Sequence, residues 1–467
     1  MIEAVFAGFA LIAIALFFAL PPGRAVIAVC ISGWILLPVG HFPAGSTATN
    51  FPDWIVGAAV PTDMLLTKMW WPPVVALTLA LTRDWGTMKL WRPTTMDLPV
   101  ALWCLWPLGQ SAFVADQDSA PVISALYLAG TWGAPWLLGR VYLAGKGATD
   151  LFAALAIGLL ILLPMALIEG VAGPIVYDLV YEPHPYRYEG HIRYIGFRPL
   201  AFFEHGNHYG IWIAMSALAA VWLWHSAPDR RMRGRQAGVA ALGIMMTVIA
   251  QSAGAIIWMI GGLITVFAAG RFHFRNILIA TGLVCAVGGV AYISGALPLR
   301  AIAMETAVGR QMVDAVRSTG RSSFTYRVAR DQEAIALIAQ HPVAGSGHWD
   351  WWRVNGRRPW GLAFQILGQF GLIGLFLAFG TLLWPAVKAL ASYRYKAGAN
   401  PIALPLATIV LMAVGDALLN SFLFYPALLA AGALATGLSV SPPGQASRRS
   451  APAQPDISGS RSSDSDR

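Results

Sequence analysis

Long apolar runs separated by short polar connections dominate the chain. A helix that crosses a lipid bilayer needs roughly 20 apolar residues, with a range of about 17 to 25. The pattern therefore predicts about 13 membrane-spanning helices, or roughly 12 or 14 if 41–61 holds a re-entrant piece. The predicted spans are 4–20, 24–40, 60–82, 97–114, 120–138, 150–169, 208–225, 237–252, 254–270, 277–296, 362–385, 402–417 and 421–439.

Composition supports the same interpretation. The chain is 57% hydrophobic and only 12% charged, with a mean hydropathy of +0.60, whereas soluble domains are about 25% charged. We therefore predict an all-α polytopic transmembrane domain over 1–439, with a disordered cytoplasmic tail over 440–467. The beginning of the chain lacks a basic segment and a cleavage site, which favours a first span over a cleaved signal peptide. The three cysteines lie in apolar runs and are predicted to be small buried hydrophobes.

Lysine and arginine concentrate in alternate short connections, such as 83–92, 139–146 and 230–235. The positive-inside rule makes these connections cytoplasmic. The opposite connections, including the long loops 170–207 and 297–361, are then external. The net charge of +9 is spread over short loops between spans, so it does not indicate a nucleic-acid partner.

The two external loops hold most of the candidate chemistry. Six of the nine histidines fall in predicted external segments and a seventh, His208, lies at the mouth of the next span. The loop 297–361 has nine arginines and no lysine. The planar guanidinium group pairs bidentately with phosphate and keeps its charge, so this loop suggests a diphosphate-bearing substrate. The alternative is a solvated arginine-rich loop with histidines at the surface.

One amphipathic helix is predicted over 323–340, capped by Ser322 or Ser323 and followed by Pro342. Helical spacing puts Arg327, Arg330, Asp331 and Ala334 on one face and leaves Val328, Ile335 and Ile338 to pack elsewhere. The polar face can then present its arginines to a cavity, or Asp331 can simply pair with Arg327.

Aromatic residues around these loops leave two interpretations open. Gly345 and Gly347 in the run HPVAGSGHWDWW predict a tight turn. The following Trp349, Trp351 and Trp352 are either interfacial anchors or a stacking surface for a sugar. Elsewhere, Phe202, Trp212 and Phe364 either pack in the protein or line a groove for a lipid tail.

Several runs resemble the O-antigen ligase and polymerase family. SFTYRVARDQEAIALIAQHPVAGSGHWDWW, followed by GLAFQILGQFGLIGLFLAFG, is similar to the family's arginine-opened helix, its His-Pro-x-x-Gly-x-Gly turn and the start of its next span. GFRPLAFFEHGNHYGIWIAM is similar to the family's arginine loop. The matching residues are Arg198, Asn207, Arg327, His341, Pro342, Gly345, Gly347, Gly371, Ile373 and Gly374.

The chain also departs from the family pattern. The family's His-Asn pair falls on Trp360 and Gly361, its glutamate falls on Gln369, and its Ser-Arg pair appears as Ser252-Ala253. These departures fit a polymerase-type member, a displaced catalytic base or an inactive relative.

The resemblance implies a fold and an activity. The fold is a helical architecture similar to the large membrane glycosyltransferases (GT-C-like). The activity is glycosyl transfer on the periplasmic face of the bacterial cytoplasmic membrane, with no metal or other cofactor. The donor is a glycan on a polyprenyl diphosphate, and the acceptor is a lipid-linked glycan or a lipid A core. Further partners are membrane lipids and possible chain-length regulator or flippase proteins, with no nucleic acid.

Residue roles follow from that chemistry. Departure of the diphosphate builds negative charge, which fixed cations stabilise; Arg198 and Arg327 are the first candidates, followed by Arg193, Arg321 and Arg330. The acceptor hydroxyl needs a base or an orienting group, for which the candidates are His348, His205, His208 and Glu204. His348 ranks first because it lies nearest the position of the family's histidine. The remaining predicted substrate-binding residues are Asn207, His208 and His341. Glu204 and His205 can also form an ion pair without a chemical role.

Two other function classes remain open. A transporter or flippase would carry charged residues in mid-span. The sequence offers few of them: Asp416 and Glu169 near span ends, and Asp63 and Lys68 in the third segment. A non-catalytic membrane component of the polysaccharide assembly machinery is the other alternative.

Overall fold

A computed structural model describes residues 1–40, 66–114, 120–181, 183–184, 192–193, 195–268, 287–292, 294, 296–318, 323–355, 358–392 and 402–437. Helices make up nearly all of the regular structure in these ranges. The described strands are a two-residue antiparallel pair in which Ile192 is opposite Phe197. The predicted all-α class is therefore confirmed. The predicted tail 440–467, the segment 41–61 and most of the predicted span 277–296 lie outside the described residues.

Eighteen helices and two strands are labelled here in chain order. They are α1 (Ile2–Ala19), α2 (Pro22–Leu36), α3 (Trp71–Arg83), α4 (Trp85–Met88), α5 (Leu98–Gln110), α6 (Pro121–Leu128), α7 (Ala134–Tyr142), α8 (Lys146–Ala172), α9 (Val176–Val180), β1 (Ile192–Arg193), β2 (Gly196–Phe197), α10 (Gly206–His225), α11 (Arg230–Ile249), α12 (Ala253–Ala268), α13 (Leu299–Glu305), α14 (Ala307–Ser318), α15 (Ser323–Ile338), α16 (Leu362–Ser392), α17 (Ala403–Leu419) and α18 (Tyr425–Ala435). A π-helical turn, Ala129–Gly133, joins α6 to α7.

Four of these elements are long and apolar enough to cross a membrane: α1, the joined α6–α7, α8 and α16. Each overlaps a predicted span. Helices α2, α12, α17 and α18 are apolar but shorter. The third predicted span, 60–82, differs from the structure, since its described part is a turn at 66–70 followed by the 13-residue α3. The full count of about 13 spans stays a prediction.

Helix α8 runs from one end of the helix bundle to the other, because its 27 residues span about 40 Å. Near its start, Asp150 accepts a hydrogen bond from Arg24 at 3.2 Å. Near its end, Glu169 binds the loop at 200–201. Arg140, in the predicted connection 139–146, pairs with Asp97, the first residue of the predicted span 97–114, at 2.9 Å. The side of the membrane on which each end lies stays a prediction.

Helix α10 runs through the middle of the bundle. Nearly all its side chains from Gly206 to Trp222 are buried, and it packs against α8, α11, α12 and α17. His205 caps its first turn, because the ring Nδ1 accepts a hydrogen bond from the backbone N–H of Asn207 at 3.1 Å. The loop before α10 is therefore held at the centre of one end of the bundle.

The predicted tight turn at 341–347 docks on a kink in α16. Gly371 interrupts that helix with φ 68° and ψ −169°, and Gly345 and Gly347 have φ of 81° and 76°. The backbone N–H groups of Ser346 and Gly347 donate to the carbonyls of Gly368 and Gln369, at 2.9 and 3.0 Å. Two further backbone bonds run from α16 to the turn, Leu372 to Pro342 and Ile373 to Val343.

Candidate functional site

Arg198 lies inside the protein, with only 2% of its surface exposed. Its Nε donates to the carbonyl of Ala250 at 3.0 Å, and its Nη2 donates to Asn207 Oδ1 at 2.6 Å. Gly206 makes room for it, because a Cβ at that glycine would lie 2.2 Å from the Arg198 Nε. Two residues that the resemblance matched, Arg198 and Asn207, are therefore in direct contact.

Asn207 extends this contact into a polar chain across three segments. Its amide donates to Asn420 Oδ1 at 3.1 Å, and the Asn420 amide donates to Asp416 Oδ1 at 2.7 Å. The hydroxyl of Ser252 also donates to Asn207 Oδ1, at 3.3 Å. Buried polar groups are costly unless they are hydrogen-bonded. This series of side-chain hydrogen bonds therefore holds the Arg198 guanidinium in one position.

The Glu169 carboxylate holds the loop that carries Arg198. Its Oε2 accepts the backbone N–H groups of Leu200 and Ala201, each at 2.6 Å, and its Oε1 accepts that of Val176 at 3.2 Å. Ala201 has a φ of 49°, a left-handed conformation that is uncommon outside glycine. Glu169, which the sequence places near a span end, is thus an anchor for irregular backbone.

Lys68, Glu204 and His208 form a charged cluster with no exposed side-chain surface. The Lys68 ammonium lies 3.5 Å from Glu204 Oε2 and donates to the carbonyl of Phe202 at 2.7 Å. The same carboxylate oxygen binds His208 Nδ1. Glu204 therefore pairs with His208 and Lys68, which replaces the predicted ion pair between Glu204 and His205.

Burial by itself raises the pKa of the Glu204 carboxyl, but the charges of His208 and Lys68 outweigh it and lower that pKa to about 2. Glu204 is therefore an anion, and a carboxylate with so low a pKa is a poor general base. Aromatic rings enclose the cluster: Phe422 stacks on His208 with a centroid distance of 4.6 Å, and Lys68 lies 4.6 Å from the Phe203 ring centroid.

The two predicted external loops meet at the Trp360 indole. The Arg330 guanidinium of α15 lies 5.7 Å from the indole centroid, and that of Arg358 lies 5.8 Å from it. The His205 ring, from the other loop, lies 6.4 Å away. Arg330 also donates to the backbone carbonyl of Arg358 at 3.4 Å. We call His205, Arg330, Arg358 and Trp360 the Trp360 cluster.

The Trp360 cluster adjoins the Arg198 chain of contacts through sequence neighbours. His205 precedes Asn207 by two residues and caps the same helix end. Phe422, two residues after Asn420, stacks against His205 at 6.1 Å. Trp360 is therefore near one imidazole and two guanidinium groups.

Helix α15 matches the predicted helix, but its orientation differs from the prediction. Asp331 and Ala334, assigned to a polar face, are 8% and 2% exposed, and Ile338 is also buried. Asp331 accepts a hydrogen bond from the Tyr292 hydroxyl at 3.2 Å. The short side chain of Ala334 allows close packing against α16, so this face turns inward.

His341 and His348 lie elsewhere, at a cavity of about 530 Å³. His341 is exposed and His348 is half-buried. Neither Arg198 nor any residue of the Trp360 cluster lines this cavity. The structure therefore assigns the predicted histidines to different places, with His205 at the Trp360 cluster, His208 in the buried cluster, and His341 and His348 at the cavity.

The other predicted site residues are accounted for as follows. Arg193 lies half-buried in β1. Arg327 lies in the first half of α15, but its side chain is not among those described, and Arg321 lies outside the described residues.

Most of the singled-out aromatic residues are packed inside the protein. Trp351 and Trp352 are 8% and 3% exposed and form a small core with Ile338, Phe364 and Leu367. Trp352 is thus neither an interfacial anchor nor an open stacking surface. Phe202, Trp212 and Phe364 are also buried, which supports packing over a lipid groove.

The predicted site residues did not include Lys68, Arg358, Trp360 and Asn420. Lys68 had a sequence signal, since a lysine in an apolar run marks a functional or paired residue. Arg358 was one of nine similar arginines, and nothing in the sequence links Asn420 to Asn207. No protein-family model matches the chain, and no curated protein matches it.

Proposed function

We propose that the protein transfers a glycosyl group from a polyprenyl-diphosphate-linked glycan to a glycan or lipid-linked acceptor. The proposed setting is surface-polysaccharide assembly on the periplasmic face of the bacterial cytoplasmic membrane. The observation that carries the proposal is the Trp360 cluster, where the guanidinium groups of Arg330 and Arg358 and the His205 ring surround one indole. This proposal includes the GT-C-like architecture that the family resemblance implies.

Two guanidinium groups at one place suit a diphosphate. In the reaction, the bond from the anomeric carbon to the diphosphate oxygen breaks, and a bond to the acceptor oxygen forms. The leaving diphosphate gains negative charge, and fixed cations aimed at that charge lower the barrier. Arg330 and Arg358 would bind its phosphate oxygens, since arginine forms paired hydrogen bonds with phosphate. Arg198, held by Asn207, adds a positive charge beneath the same helix end.

His205 fits a donor better than a base. Its Nδ1 accepts the Asn207 N–H, so the neutral ring carries its proton on Nε2. That N–H can donate to the leaving diphosphate, but it cannot accept a proton from the acceptor. The acceptor proton would pass to the terminal phosphate of the released diphosphate, whose oxygens gain negative charge as the glycosidic bond breaks. This role replaces the general-base role that the sequence suggested for His205. His348 lines the separate cavity, so we do not assign the general-base role to it.

The test uses the full chain in lipid nanodiscs with a polyprenyl-diphosphate oligosaccharide as donor and its own lipid-linked form as acceptor. We expect wild type to lengthen the glycan, and Arg330→Ala and Arg358→Ala each to lower the rate by roughly 100-fold or more. Arg310→Ala is the matched control. Arg310 is an exposed arginine of the same loop, and in the described contacts it donates only to the backbone carbonyls of Met304 and Glu305. Equal rates for all three variants would end the proposal.

A second candidate, ion-coupled transport of a lipid-linked glycan, draws on one observation. Lys68, Glu204 and His208 are fully buried ionisable groups in an apolar bundle, and such groups mark many transport paths. In proteoliposomes, a transporter would move labelled lipid-linked glycan in wild type and lose that movement in the double variant Lys68→Met/Glu204→Gln. A transferase would instead form longer glycan whether or not movement occurs.

A further inference from the structure

A cavity of about 530 Å³ lies between the end of α15, the turn at 341–348 and the helical turn Trp351–Asn355. Its volume falls within the roughly 300–1,000 Å³ typical of small-molecule sites. The polar lining comes from Gln340, His341, Ser346, His348, Asp350 and Arg353, and the apolar lining from Leu337, Trp351, Val354 and the bare backbone of Gly368.

The walls of this cavity are held rigidly. The turn at 341–347 is fixed to α16 by four backbone hydrogen bonds, two donated by the turn and two by the helix. Gln110 adds two more, since its amide nitrogen lies 2.6 Å from the carbonyls of Ala344 and Gln369. The Trp351 indole packs directly on Gly368, where any Cβ would lie 1.9 Å from the ring. Such prior ordering lowers the entropy lost when a ligand binds.

The lining chemistry fits a neutral, hydroxyl-rich ligand. Arg353 pairs with Asp350 at 3.1 Å, so the two formal charges at the cavity compensate each other. The amide of Gln340, the hydroxyl of Ser346 and the two imidazoles can each donate or accept hydrogen bonds. An anion such as a diphosphate would instead call for several cationic groups, such as the guanidinium groups of the Trp360 cluster. Leu337, Val354 and Trp351 supply apolar surface for the C–H faces of sugar rings.

Helix α15 joins this cavity to the Trp360 cluster. Arg330 belongs to the cluster and Leu337 lines the cavity, and seven residues of helix rise about 10 Å. On the other wall, Val354 lines the cavity only a few residues before Arg358. A short oligosaccharide can therefore occupy the cavity while its end reaches the cluster.

We propose that this cavity is the binding site for the acceptor glycan, which it recognises through uncharged sugar hydroxyls. The inference rests on the proposed glycosyl transfer, to which it adds a second subsite separate from the one for the diphosphate. His341 and Gln340 bind the acceptor at the mouth, and the Trp351 side supplies the apolar floor.

The test measures binding without chemistry. The probe is a lipid-free and phosphate-free oligosaccharide, released by mild acid from the surface polysaccharide of the bacterium that makes the protein. Binding to the full chain in nanodiscs is followed by saturation-transfer NMR and calorimetry. We expect saturable binding to wild type, and a roughly fivefold or larger rise in Kd for Gln340→Ala and His341→Ala, the effect of one lost hydrogen bond of about 1 kcal/mol. His341→Trp, which fills the mouth, should abolish binding.

Val343→Ser is the matched control. Val343 belongs to the same turn and is 58% exposed, but it does not line the cavity, so its variant should bind like wild type. Inorganic pyrophosphate in tenfold excess should not displace the oligosaccharide. The cavity assignment is overturned if wild type does not bind the probe, if the cavity variants bind as wild type does, or if pyrophosphate competes.

Transfer activity separates this inference from the function it rests on. Glycan extension by wild type together with unchanged acceptor KM in His341→Ala would overturn the cavity assignment alone. Cavity-dependent binding of the oligosaccharide with no extension by wild type would overturn the proposed transfer and leave a glycan-binding site. Arg330→Ala should keep oligosaccharide binding while losing extension.

Discussion

Replacing Gly371 by alanine should detach the docked turn from α16. Gly371 has φ 68° and ψ −169°, a region that is essentially restricted to glycine. A Cβ added there would lie 2.2 Å from the carbonyl oxygen of Val343 and 2.5 Å from the backbone nitrogen of Gly345. Both contacts are with backbone atoms, which cannot rotate away as a side chain can.

The size of the effect follows from two contributions. A side chain held in that backbone region costs about 1–3 kcal/mol. If the turn separates to relieve the clash, four backbone hydrogen bonds are lost, at about 0.5–1.5 kcal/mol each. We therefore expect Gly371→Ala to lower the free energy of unfolding by roughly 3–9 kcal/mol.

A second glycine of the same helix provides the control. A Cβ at Gly380 would meet only Pro99 Cβ, at an ordinary 3.8 Å. Gly380→Ala should therefore leave stability unchanged or raise it by up to about 1 kcal/mol, because alanine favours helix. Both variants, purified in detergent, are heated and the remaining monodisperse fraction is measured by size-exclusion chromatography. Limited proteolysis reports on the turn itself.

The reasoning is refuted if Gly371→Ala and Gly380→Ala melt at the same temperature as wild type and the turn stays protected from protease. That result would mean that the backbone of α16 accommodates a side chain at the kink.

The remaining predictions concern the buried charges. Lys68→Met leaves the Glu204 anion short of a partner and should cost roughly 3–5 kcal/mol, much of which the added Glu204→Gln should restore in the same melting assay. Burial raises the pKa of Glu204, but His208 and Lys68 lower it overall, from 4.5 to about 2. The ionised Glu204 therefore stabilises the folded protein above pH 4.5, and this stabilisation is lost as pH falls towards 2. The melting temperature of wild type should fall between pH 7 and pH 3 relative to that of Glu204→Gln, and an unchanged difference would contradict this. Glu169→Gln should destabilise by about 1–3 kcal/mol and speed proteolysis at 198–205, and an equally protected loop would argue against its anchoring role.

The family motif shows how far sequence reasoning reaches at one place. Gly345 and Gly347 lie in one run that resembles the family, and Gly371 lies in the next. The first two glycines also predict a tight turn. The direct backbone contact between the two runs was not predicted, because they are joined only through packing between a turn and a helix kink. The histidines show the same limit: His348 ranked first by its nearness in sequence to the family position, yet His205 is the histidine beside Trp360.

The sequence alone determined that the described part of the chain is helical, where its four long apolar helices lie, and that α15 is a separate helix in the second long loop. These features depend on local hydrophobic runs, helical spacing and end signals, which neighbouring residues carry. Only the tertiary structure decided that Asp331 and Ala334 turn inward, that Lys68 pairs with Glu204, and that the two loops meet at Trp360. Such contacts join residues tens to hundreds of positions apart, and they depend on how the helices pack around α10, which no local pattern specifies.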